Sequence, residues 1–445
     1  MTLNAIDSKL SPMINSKNFS NLMLICLLGY AILKYASRTY GDIFQSFLVF
    51  GSILAIYVER KKIFKDKMLI SLFLALVIQV LSWINATIQI PQLAQSTPEF
   101  GQLGNLFFFI FIAYWLKAKT TSVYLLWFSM LIGFALSFYI HSDHFVQDLI
   151  QGAHGLRIDF NVNNAQHPAL WSGLAFLLLS YFIIKYFYLA IQTNKTIKYL
   201  TLTFGLMLIN LFFIFVIFAT QTRQVFLGLM ISCIFAPFIY SLLQKNQPSL
   251  KLTLPIIFVS VLALIAMTNI STLEKRTSTE SSTYKKLLMG DIDNIPYDSS
   301  GIRINIWYEA YGWIQERPIL GSGQDIRDDV ILLSKRIPEN IRTTINHLHN
   351  SFIEVTLSYG IIGLALILFM FYWLLHSTSK LVPLGQFNEI RLIALLFLIY
   401  WFVVNNFESY LFSTTGLLVH NIMFGSIYTF YLTEQLKNKE NETAI

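Results

Sequence analysis

Long apolar runs separated by short polar or Lys/Arg-rich connections make up most of the chain, and many approach the length of a membrane span rather than of a core helix. A window of about 20 residues, the length a bilayer requires, predicts about twelve transmembrane helices. They fall near 21–36, 43–58, 68–88, 104–116, 123–140, 169–190, 199–219, 225–243, 252–267, 352–375, 392–404 and 417–432. The connections 59-ERKKIFKDK-67, 117-KAK-119, 194-NKTIK-198 and 244-QKNQPSLK-251 carry the Lys and Arg and recur at every second turn. The positive-inside rule places them, and both termini, in the cytoplasm. Segments 141–167, 220–224, 268–351 and 405–416 then face outward. The expected architecture is an all-α polytopic membrane protein in three parts. Residues 1–267 hold transmembrane helices 1–9, 268–351 form one large outer loop containing helices, and 352–445 hold helices 10–12 and a short tail. The polar start, MTLNAIDSKLSPMINSKNFS, has no apolar h-region or small-residue cleavage site, so no removable signal peptide is expected.

Composition narrows the class. A chain of 445 residues that is 55% hydrophobic and 13% charged, with mean hydropathy +0.56, does not read as a soluble domain. The net charge of +7 is accounted for mostly by the topology-setting loops and one outer loop, so membrane lipids rather than nucleic acid are the expected partners. Cys26 and Cys233 lie inside apolar runs without motif spacing and read as packing residues, not as a disulfide or metal site. A transporter would place ionisable residues in mid-span and show two related halves. Here Lys34 and Lys185 lie near span ends, and no repeat is visible.

An outer loop as long as 268–351 points to function. Within it, 299-SSGIRINIWYEAYGWIQERPILGSG-323 reads as a helix with a Ser N-cap and a Pro/Gly stop. Arg303, Trp307, Ala310 and Ile314 share one face, which puts Arg303 on the apolar stripe and in the first turn. A cation there opposes the helix dipole by up to about 1 kcal/mol, whereas a bound anion would reverse the sign. Arg303 reads either as a phosphate ligand or as the partner of Asp325 or Asp328. Arg223, in the outward turn 220-TQTRQ-224, reads either as a cation snorkelling to lipid headgroups or as a ligand for a lipid phosphate. Arg157 is a third candidate, beside Asn163, Asn164 and His167, which either line a polar cavity or solvate the loop.

In 347-HLHNSFIEVTLSYGIIGL-364 polar residues run straight into an apolar helix. Ser351 and Glu354 fit a capping box, and Gly360 and Gly363 fit close approach of a neighbouring span. His347, His349 and Asn350 remain outside that account. The histidines can be polar anchors, metal ligands lacking a third partner at recognisable spacing, or acid–base groups with an ordinary pKa of about 6.5.

His349-Asn350, nine residues, then Gly360-Ile361-Ile362-Gly363 resembles the H-N-x9-G-x-x-G pattern of the O-antigen ligase family. Arg303 and Trp307, followed by Pro318 and Gly321-Ser322-Gly323, resemble the segment that precedes that histidine, and Arg223 matches an arginine at an outward turn. The resemblance implies an inverting glycosyltransferase of the bacterial inner membrane that needs no metal or other cofactor. It would move a polysaccharide from an undecaprenyl pyrophosphate-linked donor to an acceptor, with the active site facing the periplasm. His349 would be the catalytic base, and Arg223 and Arg303 would hold the pyrophosphate; His347, Asn350 and Arg157 are the further residues expected to bind substrate. A single large outer loop favours ligation to lipid A-core over O-antigen polymerase activity, and a protein O-oligosaccharyltransferase, with a protein acceptor, stays open.

Overall fold

The structure is a computed structural model that describes residues 10–243, 280–380 and 388–443, which contain helices and no strand. The main helices are α1 (Lys17–Ala36), α2 (Arg38–Val58), α3 (Lys67–Gln89), α4 (Thr120–His141), α5 (Gln166–Gln192), α6 (Thr196–Thr220), α7 (Arg223–Leu243), α8 (Ser299–Glu316), α9 (Ser351–Lys380), α10 (Asn388–Asn405) and α11 (Thr414–Thr443). All but α8 and α11 are long and apolar enough to cross a membrane, which makes nine among the described residues. The protein is an all-α polytopic membrane protein. The predicted span 252–267 lies outside the described residues.

The charges near span ends are paired. Lys34 Nζ lies 2.5 Å from Asp42, and Lys185 Nζ lies 2.6 Å from Glu389, which also accepts from Tyr124 at 2.7 Å. Asp66 caps α3 by accepting from the amides of Met68 and Leu69 at 3.0 Å each, and its other oxygen accepts from Tyr428 of α11 at 2.5 Å.

The predicted span 104–116 is broken into a turn of helix (Gly101–Gly104), a 3-10 turn (Asn105–Phe107) and a short helix (Phe109–Leu116). Backbone groups freed at such depth must find protein partners, because lipid offers none. α11 supplies them: Asn421 accepts from the Phe109 amide at 2.9 Å and donates to the Asn105 carbonyl at 3.0 Å, while His420 Nε2 stands 2.9 Å from the Leu106 carbonyl. The predicted span 417–432 therefore lies in a long helix whose polar residues serve a neighbour's backbone.

A second break shapes the functional end. α9 leaves helical geometry at Gly360 (φ 65°, ψ −168°), a region open essentially to glycine alone. The loop after α8 inserts there, and Gly321 is also left-handed (φ 71°). The amides of Ser322 and Gly323 donate to the carbonyls of Leu357 and Ser358 at 2.8 and 3.0 Å, and the Ile361 amide donates to the Pro318 carbonyl at 2.9 Å. Ser82 and Asn85 of α3 close the clasp by donating to the carbonyls of Ser358 (2.6 Å) and Gly321 (2.8 Å). Gly360 thus admits a loop rather than the neighbouring span expected for it, and a Cβ at Gly363 would meet its own helix at Tyr359.

The described part of the outer loop has its own small core. Ile306 and Ala310 of α8, Ile326, Val330 and Ile331 of a short helix (Ile326–Leu332), and Leu348 pack on Ala86 and Ile90 of α3 and Leu357 of α9. This core seats α8 and the 347–350 segment on the end of the bundle.

The clasp yields a stability prediction. A Cβ on Gly360 would lie 2.1 Å from the Ile319 carbonyl oxygen in a backbone conformation closed to other residues, so Gly360→Ala should lose at least about 2 kcal/mol. Gly312, with nothing within 4 Å, should tolerate alanine without loss. Thermal unfolding in detergent reads both, and equal melting of the Gly360 variant and the parent would contradict this account of the motif.

Candidate functional site

The site forms where α8, the 347–350 segment, the α6–α7 turn and the α10–α11 connection meet. α8 is capped by Asp298, whose carboxylate accepts from the amides of Ser300 and Gly301 at 3.1 and 2.8 Å, so the Ser N-cap expected from the sequence is displaced by one residue. Arg303 falls in the second turn, beyond the reach of the dipole argument. The first-turn amides that Asp298 occupies are not available to phosphate.

Arg303 and Trp307 lie beside the face of α8 that enters the loop core. The Trp307 indole donates to the Leu348 carbonyl at 2.7 Å. That bond, with Leu348 fully buried, fixes the backbone between the two histidines. His349 itself is left-handed (φ 53°), a strained conformation for a non-glycine residue that persists only where its surroundings impose it.

Asn350 is the cap of α9: its side-chain oxygen accepts from the amides of Phe352 and Ile353 at 3.0 and 3.1 Å, while its NH2 donates to the Asn406 carbonyl at 3.0 Å. The capping box read from Ser351 and Glu354 is not formed. Ser351 instead donates toward Asn405 Oδ1 (2.7 Å) and the Glu408 carbonyl (3.0 Å), and the buried Glu354 receives Arg327 at 2.5 Å. These bonds pin the α10–α11 connection to the start of α9 and bring Glu408 to the histidines.

Glu408 is 2% exposed, and each of its oxygens meets one histidine. His349 Nδ1 lies 3.0 Å from Oε2 in a hydrogen bond. His347 Nε2 lies 2.8 Å from Oε1 in an ion-pair contact too poorly aligned for a hydrogen bond. Burial works to raise the Glu408 pKa, but the two histidines outweigh it and hold the carboxyl well below the usual range. Burial lowers both histidines. In His347 the carboxylates of Glu408 and Glu354 reverse the sign and raise the pKa. In His349, Glu408 opposes burial, but the positive charges of His347 and Arg303 add to burial and the pKa stays low.

Across from the histidines, Arg223 opens α7 and forms a two-pronged pair with Glu280 at 2.8 and 2.9 Å. Glu280 also accepts from Ser300 at 2.7 Å and Tyr284 at 3.3 Å, so its carboxylate is saturated and holds the guanidinium plane in place. Arg303 makes no hydrogen bond or ion pair among the described residues, although burial, opposed by Glu408 and reinforced by Arg223, disfavours its charge. The expected partners are occupied elsewhere: Asp325 accepts from Gln102 and Asp328 lies against Arg327. An unpaired guanidinium beside a second one has the chemistry of an anion seat.

Arg157 stands outside this group. It is exposed, and its Nε donates to the Thr220 carbonyl at 3.1 Å, bracing the turn that carries Arg223. Its neighbours make contacts within the fold: Asn163 accepts from Tyr35, Asn164 accepts from the Gln166 amide at the start of α5, and His167 meets Thr415 at 2.5 Å.

Glu408 and Glu280 are the site groups not singled out in the sequence. Glu408 had a faint signal, a lone acid between aromatic residues in a short outward turn. Glu280 had none. With Glu408, the donor atoms of His347 and His349 form the one group among the described residues with the makings of a metal-ligand set, all within 4.8 Å. Donors sharing a zinc ion at about 2.1 Å would stand roughly 3.4 Å apart in tetrahedral geometry. The contacts with Glu408, an ion pair at 2.8 Å and a hydrogen bond at 3.0 Å, are shorter than that spacing.

No curated protein sequence matches the chain. The family model described as O-antigen ligase matches residues 208–368, which run from α6 through Arg223, Arg303, the histidines and the Gly360 break. Over that segment the chain is similar to the O-antigen ligase family, which supports a glycosyl-transferring membrane enzyme of the lipid-linked polysaccharide ligase or polymerase type.

Proposed function

We propose that this protein joins a glycan from an undecaprenyl pyrophosphate-linked donor to an acceptor hydroxyl at the periplasmic face of a bacterial inner membrane, with both termini cytoplasmic. Ligation of O-antigen to lipid A-core is the reading. The observation that carries it is the Arg303 guanidinium, which has no hydrogen-bond or ion-pair partner among the described residues, within electrostatic reach of both Arg223 and His349, whose Nε2 makes no hydrogen bond among those residues.

In this scheme Arg223 and Arg303 hold the pyrophosphate. Arg223 keeps outward N–H groups although Glu280 occupies its fork, since a guanidinium has five donors and its side chain is 43% exposed. The acceptor oxygen attacks the anomeric carbon opposite the pyrophosphate, the bond from that carbon to the phosphate oxygen breaks, and the configuration inverts. His349 Nε2 takes the hydroxyl proton. Charge grows on the leaving pyrophosphate, so fixed guanidinium groups bind the transition state more strongly than the ground state. The low pKa of His349 suits the role, because the base is neutral at pH 7. Asn350 and His347 shape the acceptor side.

Two outcomes test this scheme. His349→Ala should lower transfer at least about 100-fold, the range expected for a lost general base, in a protein that still folds and inserts but melts somewhat lower, because Glu408 loses one of its two partners. His347→Ala should cost less, and a His349 variant as active as the parent in a purified donor–acceptor assay would remove the base from the mechanism. Transfer should also continue in excess EDTA, since two arginines supply the positive charge that a divalent ion would. Activity lost in EDTA and restored by one particular metal would make His347, His349 and Glu408 ligands instead.

A further inference from the structure

The two histidines are set in different surroundings, and the difference assigns them different protonation. His347 meets an oxygen at each ring nitrogen, Asn346 Oδ1 in a hydrogen bond at 2.9 Å from Nδ1 and the Glu408 carboxylate Oε1 in an ion-pair contact at 2.8 Å from Nε2. A neutral imidazole carries a single N–H, so this environment suits the imidazolium. Among the described residues His349 has an acceptor only at Nδ1, and the neutral Nδ1–H tautomer satisfies it while leaving the Nε2 lone pair free. The ring centroids are 4.0 Å apart, a distance at which two imidazoliums repel. The remaining charges agree with one cation, on His347. Glu408 and Glu354 face it, with Arg327 opposing, and it is sensed by Asp328 and His167. His349 faces Glu408, His347 and Arg303.

We infer that Glu408 is a positioning residue that makes the histidines non-interchangeable: it fixes His349 in the tautomer with a free Nε2 and retains His347 as a resident imidazolium. The inference rests on His349 being the base. When Nε2 accepts the acceptor's proton, the Nδ1–H bond to Glu408 persists, and the carboxylate stabilises the imidazolium formed on His349. Glu408 stays ionised throughout, and the proton leaves from Nε2 to water after the lipid pyrophosphate departs. A carboxylate that sets the tautomer of a catalytic histidine contributes strongly to kcat without touching substrate.

The test combines a spectrum with kinetics on the full chain in lipid nanodiscs. Side-chain 15N signals at pH 7, assigned with His347→Gln and His349→Gln, should show His347 protonated on both nitrogens and His349 on Nδ1 alone. Glu408→Gln should lower kcat at least about 100-fold. Its KM for an undecaprenyl pyrophosphate-linked oligosaccharide, with lipid A-core as acceptor, should stay within about twofold. Glu408→Asp, which keeps the charge, should recover part of kcat. In Glu408→Gln the His349 signal should become a mixture of tautomers. A neutral His347, an Nε2–H or doubly protonated His349 in the parent protein, or full kcat in Glu408→Gln would overturn the inference. The parent spectrum decides even where a variant fails to fold. Activity in His349→Ala is a separate result that would remove the base itself.

Discussion

A carboxylate buried at the end of a membrane bundle is costly unless its charge is answered locally, and the site is organised around that requirement at Glu408. Two histidines answer it, one through each oxygen. Meeting the requirement draws in the rest. Ser351 and Asn350 hold the α10–α11 connection against α9, Trp307 holds the Leu348 carbonyl, and His349 takes a left-handed backbone. A second buried carboxylate, Glu280, does the corresponding work for Arg223. Arg303 is the member of this cluster whose charge no hydrogen bond or ion pair answers among the described residues.

The two interruptions of helix follow from the same scarcity of partners in lipid. Side chains of α11 satisfy the break near Asn105, and the loop after α8 satisfies the break at Gly360. The second one matters for chemistry, because it ties Pro318 to Gly323 directly to the helix that His349 precedes. The two glycine-containing motifs are thus one structural device, and they keep α8 with its arginine in register with the histidines.

Much of this was legible in the chain. Apolar length located the nine described membrane-length helices within a few residues, because a span of apolar residues is decided locally, but it showed neither the break in 104–116 nor the full length of the helix over 417–432. Arg223, Arg303 and His349 stood out because a cation or a histidine beside apolar sequence needs an account. The partners were not legible. Glu408 lies 59 residues from His349, and Glu280 lies 57 from Arg223, so no spacing joins them. Local capping rules also misled: Ser351 and Glu354 satisfy a capping box on paper, but Asn350 caps the helix and tertiary partners claim both side chains. A local rule holds only while no stronger distant partner is available.

The claim on which the account rests is the proposal that Arg303, which has no hydrogen-bond or ion-pair partner among the described residues, takes a phosphate as its partner. Arg303→Lys keeps the charge but loses the planar fork, so it separates a phosphate seat from a merely cationic position. Donor-dependent transfer kinetics should show kcat/KM reduced at least about tenfold, roughly 1.4 kcal/mol of transition-state binding. A lysine variant that matches the parent at every donor concentration would contradict the claim.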